Sequence, residues 1–127
     1  MAYCRLPFIK KLLEKELRDS ALESGQSVSA LIQELEPIIE EIRLHGISRA
    51  SGSLTPGING FSAPVFDHTG HMVAAVTSLG SIGHFATEWN SPLAVAIKEA
   101  AHALSLRLGH SATAAPHPSS VLASIAR

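Results

Sequence analysis

Two histidines lie in the segment Asp67-His68-Thr69-Gly70-His71, and their spacing is the first feature of the sequence that suggests chemistry. Imidazole and carboxylate groups bind zinc, but a structural zinc site needs four ligands, and a catalytic site needs three ligands and a water. Only Asp67 is close enough in sequence to join the two histidines. We therefore expect a solvated turn here and no metal site.

Other reactive side chains lack the partners that catalysis requires. The segment Gly80-Ser81-Ile82-Gly83-His84 holds a serine and a histidine, but it is not the G-x-S-x-G turn of a nucleophilic serine. Nothing in the sequence marks an activating base for Cys4, the single cysteine. No segment resembles a phosphate-binding loop. The sequence predicts no cofactor and no enzyme, and a small hydrolase is the least favoured alternative.

Composition narrows the classes of partner. The 127 residues, 46% hydrophobic and 17% charged, suit one domain with a real core. A net charge of −1 excludes the basic surface that binds nucleic-acid phosphates. A lone cysteine excludes a disulfide within the chain and favours the cytoplasm. No apolar run approaches the ~20 residues of a membrane span, and the first residues lack the apolar segment of a secretory signal.

Apolar periodicity predicts two helices in the first part of the chain. The first begins near Pro7, which suits a first helical turn, and a linker over 20–27 follows. The second starts at Val28 and ends at Gly46. Pro37 interrupts its pattern, so that the helix either kinks there or restarts with the proline in its first turn.

A third helix is predicted near the end of the chain. Asn90 or Ser91 caps it, Pro92 lies in its first turn, and Gly109 ends it. Its predicted apolar face consists of Leu93, Ile97, Ala100, Ala101, Leu104 and Leu108. The Ala/Ser/Pro-rich residues 110–127 are predicted to form a tail.

Residues 58–80 predict a β-hairpin rich in small side chains. Asp67 and Gly70 suit the first and last positions of a type I turn. The simplest register pairs Phe66 with Met72 and Phe61 with Thr77. The small residues leave space for a closely packed helix or for a ligand, and spacing alone favours the helix. The order of elements indicates an α+β fold with an antiparallel sheet of few strands, flanked by helices.

A series of motifs then identifies a family. A helix ending Ile42-Arg43-Leu44-His45-Gly46 is followed by the loop segment Leu54-Thr55-Pro56-Gly57, the strand Phe61–Asp67, the Gly70 turn, the strand Met72–Val76 and the helix ending Arg107-Leu108-Gly109. In order and spacing these segments resemble the effector-binding domain of IclR-family transcriptional regulators. The resemblance covers roughly residues 1–109, with 110–127 as a tail.

The resemblance implies a partial GAF/profilin-like fold and a domain that senses a small organic effector. It also implies a homo-oligomer. In this family DNA is contacted by a linked winged helix-turn-helix, which this sequence does not contain, and the first strands of the family's effector domain also have no counterpart in it. A dimerisation or interaction module without a ligand is the alternative function.

The resemblance also implies site residues. A Ser or Thr on the second hairpin strand hydrogen-bonds the ligand carboxylate in relatives, and Thr77 matches that type. Three further family positions, a hydroxyl, an acid and a cysteine, correspond to Leu79, Ala50 and Gly60. The resulting expectation is an aromatic or apolar acid as ligand. The predicted ligand-binding residues are Ala50, Asn59, Gly60, Phe61, Thr77 and Leu79. The simple register puts Gly60 and Thr77 on opposite faces, a conflict that a bulge near 62–64 would remove.

Overall fold

A computed structural model describes residues 7–52 and 55–111. Its elements are α1 (Pro7–Ser24), α2 (Val28–His45), β1 (Ser48–Ser51), β2 (Ile58–Phe66), β3 (Met72–Ser81) and α3 (Pro92–Arg107). The strands form an antiparallel sheet in the order β1-β2-β3, which confirms the predicted α+β fold. Cys4 and all of the predicted tail beyond Ser111 lie outside the described residues. No helix within the described ranges is long and apolar enough to cross a bilayer.

Helices α1 and α2 form a hairpin. The predicted linker over 20–27 is wrong in length, because α1 continues through helix-forming residues to Ser24, and the connection consists of the three residues 25–27, beginning with Gly25 at φ 69°. Ser27 caps α2 by accepting a hydrogen bond from the Ala30 N–H at 3.2 Å. Helix α2 runs unbroken through Pro37, so the chain does not restart there. The hairpin has its own apolar contact, formed by Leu13, Leu17 and Ile32.

Helix α3 packs across β2 and β3. Its buried side chains are Ala94, Ile97, Ala101 and Ser105. The predicted apolar face is confirmed at Ile97 and Ala101, but Leu104 and Leu108 are 43% and 48% exposed, and Ala94 and Ser105 are buried instead. The sheet side of this contact is made by large or branched residues, Phe61 and Val65 among them. The small helix residues Ala94 and Ala101 opposite them let α3 approach the sheet closely.

The C-terminal part of α3 is tied to the end of β2. Ser105 is 2% exposed, and its Oγ donates to the Ala101 carbonyl at 2.8 Å while accepting from the Phe66 N–H at 2.9 Å. The helix ends in a Schellman arrangement, with Gly109 at φ 81° and the His110 N–H donating to the Ser105 carbonyl at 2.9 Å. One buried hydroxyl thus fixes where the helix sits along the sheet.

Replacing Ser105 by Ala removes the acceptor and leaves the buried Phe66 N–H without it. We expect a loss of about 1–3 kcal/mol in the free energy of unfolding, measured by urea denaturation. Ser24 is the matched control, because its Oγ makes the same type of bond, to the Ser20 carbonyl at 2.7 Å, on an exposed helix surface. Ser24→Ala should change stability by less than about 0.5 kcal/mol. Equal losses in the two variants would contradict the role of Ser105.

Gly80 makes room for a buried ring. A Cβ on this residue would lie 2.5 Å from Cδ2 and 3.3 Å from Cβ of Phe85, which is buried in the core. We expect Gly80→Ala to lower the melting temperature, at a cost of about 1–3 kcal/mol for overpacking. Gly83→Ala is the control, since a Cβ there meets no atom within 4 Å. If neither variant changed the melting temperature, the Phe85 ring would be able to move aside without a loss of stability, and the prediction would be wrong.

Candidate functional site

The register of the hairpin differs from the predicted one by a bulge. Phe66 is opposite Met72, as expected, but Val65 is opposite Ala74, so that Val73 is an extra residue in β3. Beyond this point every partner is shifted by one, and Phe61 lies opposite Ser78 instead of Thr77. The predicted register was therefore wrong for most of the hairpin. Because side chains alternate along a strand, the shift moves Thr77 to the face that carries Gly60.

This face carries side chains from all three strands, and we refer to it as the open face. It is formed by Ser48, Ala50, Gly60, Ser62, Pro64, Ala75, Thr77 and Leu79. Its β2 residues Ser62 and Pro64 are half-buried, whereas Ala75, Thr77 and Leu79 are exposed. None of the eight residues is charged. The opposite face, which packs on α3, is the core face.

A row of hydroxyl groups crosses the open face. Ser48 is paired with Ser62, and Ser62 with Thr77. The Ser62 Oγ and Thr77 Oγ1 atoms are 2.8 Å apart and share one hydrogen bond, while the Ser48 Oγ donates to the Ser62 carbonyl at 3.2 Å. Each hydroxyl has one donor and two acceptor positions, so the Ser62–Thr77 pair keeps one O–H to offer a ligand. Ser62 and Ser48 were not among the predicted site residues, although their hydroxyls were visible in the sequence.

Apolar groups border this row. Ala50, Gly60 and Leu79 form the neighbouring row, and a Cβ on Gly60 would lie 2.6 Å from Leu79 Cδ2. The Leu79 side chain, 68% exposed, therefore lies across Gly60. On the other side of the hydroxyl row are Pro64 and Ala75. The structure thus brings together Ala50, Gly60, Thr77 and Leu79, the residues at the four family positions.

The other two predicted residues lie on the core face. Asn59 is buried, and its side-chain N–H donates to the Phe85 carbonyl at 3.2 Å. Phe61 is buried against Phe85 and Trp89, with ring centroids 5.7 and 6.3 Å apart. Both residues hold the strand from behind and do not point toward Thr77. The same bulge in β3 separates them from Thr77 and Leu79, which lie on the opposite face.

A stack of side chains fixes β1, the strand that contributes Ser48 and Ala50. Trp89 lies parallel to the His45 ring at 4.1 Å, and the Arg49 guanidinium is 4.2 Å from the Trp89 ring centroid. Arg49 also donates to the Thr87 carbonyl and to Glu41, each at 3.3 Å. This arrangement joins β1 to α2 and to the loop before α3.

The hairpin turn that carries His68 and His71 is held by hydrogen bonds to Asp67. The Gly70 N–H donates to the Asp67 carbonyl at 3.0 Å and Gly70 has φ 77°, which confirms the predicted turn. The Asp67 carboxylate accepts from the Thr69 hydroxyl and N–H and from the His71 N–H. These bonds, the Thr69 hydroxyl first, hold the pKa of Asp67 below its usual value. The described residues contain no group of three His, Cys, Asp or Glu side chains that suits a metal.

Because the pKa of Asp67 is lowered, the stability that its carboxylate contributes depends on pH in a definite direction. Its carboxylate contributes stability above the unfolded-state pKa, near 3.8, and the contribution is lost as pH falls through the lower folded-state pKa. We expect Asp67→Asn to destabilise the protein at pH 6 and the difference from wild type to shrink at pH 3. Urea denaturation at both pH values measures it, with Asp19→Asn on α1 as control. A difference independent of pH would contradict the role of the charge.

A cavity of about 260 Å³ lies at the other end of the sheet, between β2 and the C-terminal half of α3. Lys98, His102 and His110 line it together with Phe66. Two of its polar groups are already engaged, since Ser105 binds β2 and the His110 ring nitrogen Nδ1 lies 3.2 Å from the Asp67 carbonyl oxygen. Lys98 and His102 give this cavity basic side chains, whereas the residues of the open face are uncharged.

These features define an α+β domain whose sheet presents a row of hydroxyl groups on one face. Residues 11–106 match the family model of the bacterial transcriptional regulator IclR C-terminal domain. The chain therefore belongs to the IclR family, and the matched domain is the effector-binding, regulatory domain of these transcriptional regulators. Regulators of this family bind small-molecule effectors and oligomerise.

Solved structures agree with this assignment. The chain is 33% identical to Pseudomonas aeruginosa HmgR, with a TM-score of 0.63 over 77% of this chain and 38% of that one. It is 31% identical to Thermotoga maritima IclR, with a TM-score of 0.57 over 61% of this chain and 32% of that one. A domain spanning 129–302 of an IclR-family regulator shares the fold at 21% identity, with a TM-score of 0.61 over 81% of this chain and 62% of that domain. No curated protein sequence matches the chain. By the coverages of HmgR and Thermotoga maritima IclR, the chain spans well under half the length of these whole regulators.

Proposed function

We propose that this chain is a non-catalytic effector-sensing domain and that its effector binds on the open face. The observation that carries the proposal is the adjacent placement of Ala50, Gly60, Thr77 and Leu79, which the bulge at Val73 produces. These residues occupy four positions at which the family resemblance places ligand contacts. An effector bound there would act on DNA through a linked winged helix-turn-helix domain in the cytoplasm.

The chemistry of the open face favours an aromatic or apolar acid. The hydroxyl pair of Ser62 and Thr77 offers one O–H to a carboxylate oxygen, and apolar groups of Leu79, Pro64 and Ala75 flank it. Small-molecule sites are mostly apolar with a few polar groups that fix orientation. A small, strongly hydrated keto acid would need more donors than this face provides, because burying a carboxylate without hydrogen bonds is costly.

The Thr77 hydroxyl is the anchor that can be tested. Thermal unfolding with benzoate, hexanoate and pyruvate would first establish which class binds, since a ligand at about 100 times its Kd stabilises by about 2.7 kcal/mol. For the class that binds, we expect Thr77→Val to raise Kd about fivefold in calorimetric titration, the value of one hydrogen bond of about 1 kcal/mol.

Two further variants make the test specific. Ser62→Ala should weaken binding similarly, because it removes the group that orients the Thr77 hydroxyl. Thr55→Val, on the exposed loop before β2, makes the same chemical change away from the hydroxyl row and should leave Kd unaltered. Full affinity in Thr77→Val would exclude the proposed anchor.

A second candidate function, an interaction module without a ligand, is favoured by a different observation. The α1–α2 hairpin contains an apolar groove of about 310 Å³, lined in part by Leu13, Leu17, Leu31 and Leu35. Leu12 and Ile38 on the same hairpin are 45% and 49% exposed. This function would give a melting temperature that depends on protein concentration and does not respond to the acids.

A further inference from the structure

The cavity between β2 and α3 lies where the β1–β2 ladder ends. Hydrogen-bonded pairs alternate along an antiparallel ladder, and the Gly52 N–H donates to the Ile58 carbonyl at 3.0 Å, so the even-numbered residues of β2 bond to β1. The series stops at Pro64, which has no N–H, and opposite it the chain leaves α2 through Gly46 at φ 69°. These two residues therefore end the pairing, and both line the cavity of about 260 Å³.

Three basic side chains line this cavity. Lys98 and His102 are four residues apart on α3, a spacing that places side chains next to each other on one face of a helix. His110, just beyond the helix, is the third, and none of the nine lining residues is acidic. Neither Lys98 nor His102 forms a hydrogen bond or ion pair with a residue that the structure describes. The cavity thus has positive charge that no lining residue balances.

The contacts of His110 determine which of its ring nitrogens is left for a ligand. Nδ1 lies 3.2 Å from the Asp67 carbonyl oxygen, and because a carbonyl only accepts hydrogen bonds, Nδ1 carries a proton. The ring also packs on Phe66, with ring centroids 5.3 Å apart. Nε2 remains, and a hydrogen bond between Nε2 and an anion needs a second proton. Binding of an anion here is therefore coupled to the uptake of a proton.

We propose that this cavity is a second ligand site, separate from the open face, which binds the phosphate group of a small phosphorylated compound. Lys98, His102 and His110 hold the phosphate, and Phe66 and Pro64 form an apolar wall for the organic part. A carboxylate has one charge, which Lys98 alone balances. A phosphate monoester carries about −1.5 to −2 at pH 7, which matches a lysine beside two histidines that can be protonated. The volume suits a compound of about one ring, since sites for drug-sized ligands begin at about 300 Å³.

Phenyl phosphate and benzenesulfonate are matched probes, because both carry a benzene ring and they differ in charge. In NMR titrations of the isotope-labelled chain, we expect phenyl phosphate to shift the amide signals of Gly46, Lys98, His102 and His110. It should bind about tenfold more tightly than benzenesulfonate, which has a single charge. Inorganic phosphate should bind more weakly than phenyl phosphate, because it does not use the apolar wall. Equal affinity for these two would overturn the role of Phe66 and Pro64 and indicate a site for the free ion.

Lys98→Gln removes one charge from the cavity. We expect it to raise the Kd of phenyl phosphate about tenfold, the value of one charge-assisted hydrogen bond. Lys15→Gln makes the same change on the exposed surface of α1 and should leave this Kd unaltered. Circular dichroism verifies that both variants are folded.

His110→Asn tests the coupling to a proton. The asparagine amide can still donate to the Asp67 carbonyl, as Nδ1 does, but it has no counterpart of Nε2. Calorimetry in two buffers of different ionisation enthalpy should show that the wild-type chain takes up a proton with phenyl phosphate and that this uptake falls in the variant. The other titratable groups near the ring are Lys98 and His102 on α3, and Asp67 and His68 on the hairpin turn, where His68 lies against Gly109.

Three results would overturn the phosphate site. The first is the absence of shift changes at residues 98, 102 and 110 with millimolar phenyl phosphate. The second is an unaltered affinity in Lys98→Gln, and the third is equal affinity for benzenesulfonate. These measurements are made without a carboxylic acid, whereas the effector site on the open face is tested with acids and Thr77→Val. Either proposal can therefore fail without the other.

Discussion

One extra residue in β3 determines what the two faces of the sheet present. With Val73 accommodated as a bulge, the strand shifts by one position against β2, and the side chains of 74–80 exchange faces relative to an unbroken ladder. The shift places Thr77 beside Ser62 and Leu79 over Gly60. It also leaves Gly80 on the core face, where Phe85 needs the space. The composition of the open face and the placement of Gly80 beside Phe85 both follow from this bulge.

The second constraint is that helix α3 packs on one face of the sheet, the core face. Helix α3 presents mainly small side chains to β2, and its position along the sheet is fixed by the buried Ser105 hydroxyl. The β1 strand is held separately, by the stack of Arg49, Trp89 and His45. The β3 half of the open face and the outer edge of β3 are left exposed. A domain built in this way has a rigid support, the core face packed on α3, behind the open face.

The elements could be predicted from residues with strong local preferences. Gly46, Gly70 and Ser91 mark ends and caps that the structure confirms, because left-handed turns and N-caps depend on the residue itself. A bulge near 62–64 was expected from the family resemblance alone, and its true position, at Val73 on the other strand, could not be predicted, since nothing local distinguishes Val73 from its neighbours. The face of α3 could be predicted only in part, because leucines indicate burial, whereas the residues that pack on the sheet include Ser105, whose partner Phe66 lies far away in sequence. The meeting of Gly60 and Thr77 was expected from the family resemblance and not from the spacing.

An NMR titration of the isotope-labelled chain with benzoate tests the central claim most directly, because it locates binding without assuming an effector. If the open face is the sensing surface, the largest amide shift changes will map to Ala50, Gly60, Ser62, Thr77 and Leu79. Changes centred instead on Lys98 and His102 would place the acid site in the cavity beside α3 and contradict the account.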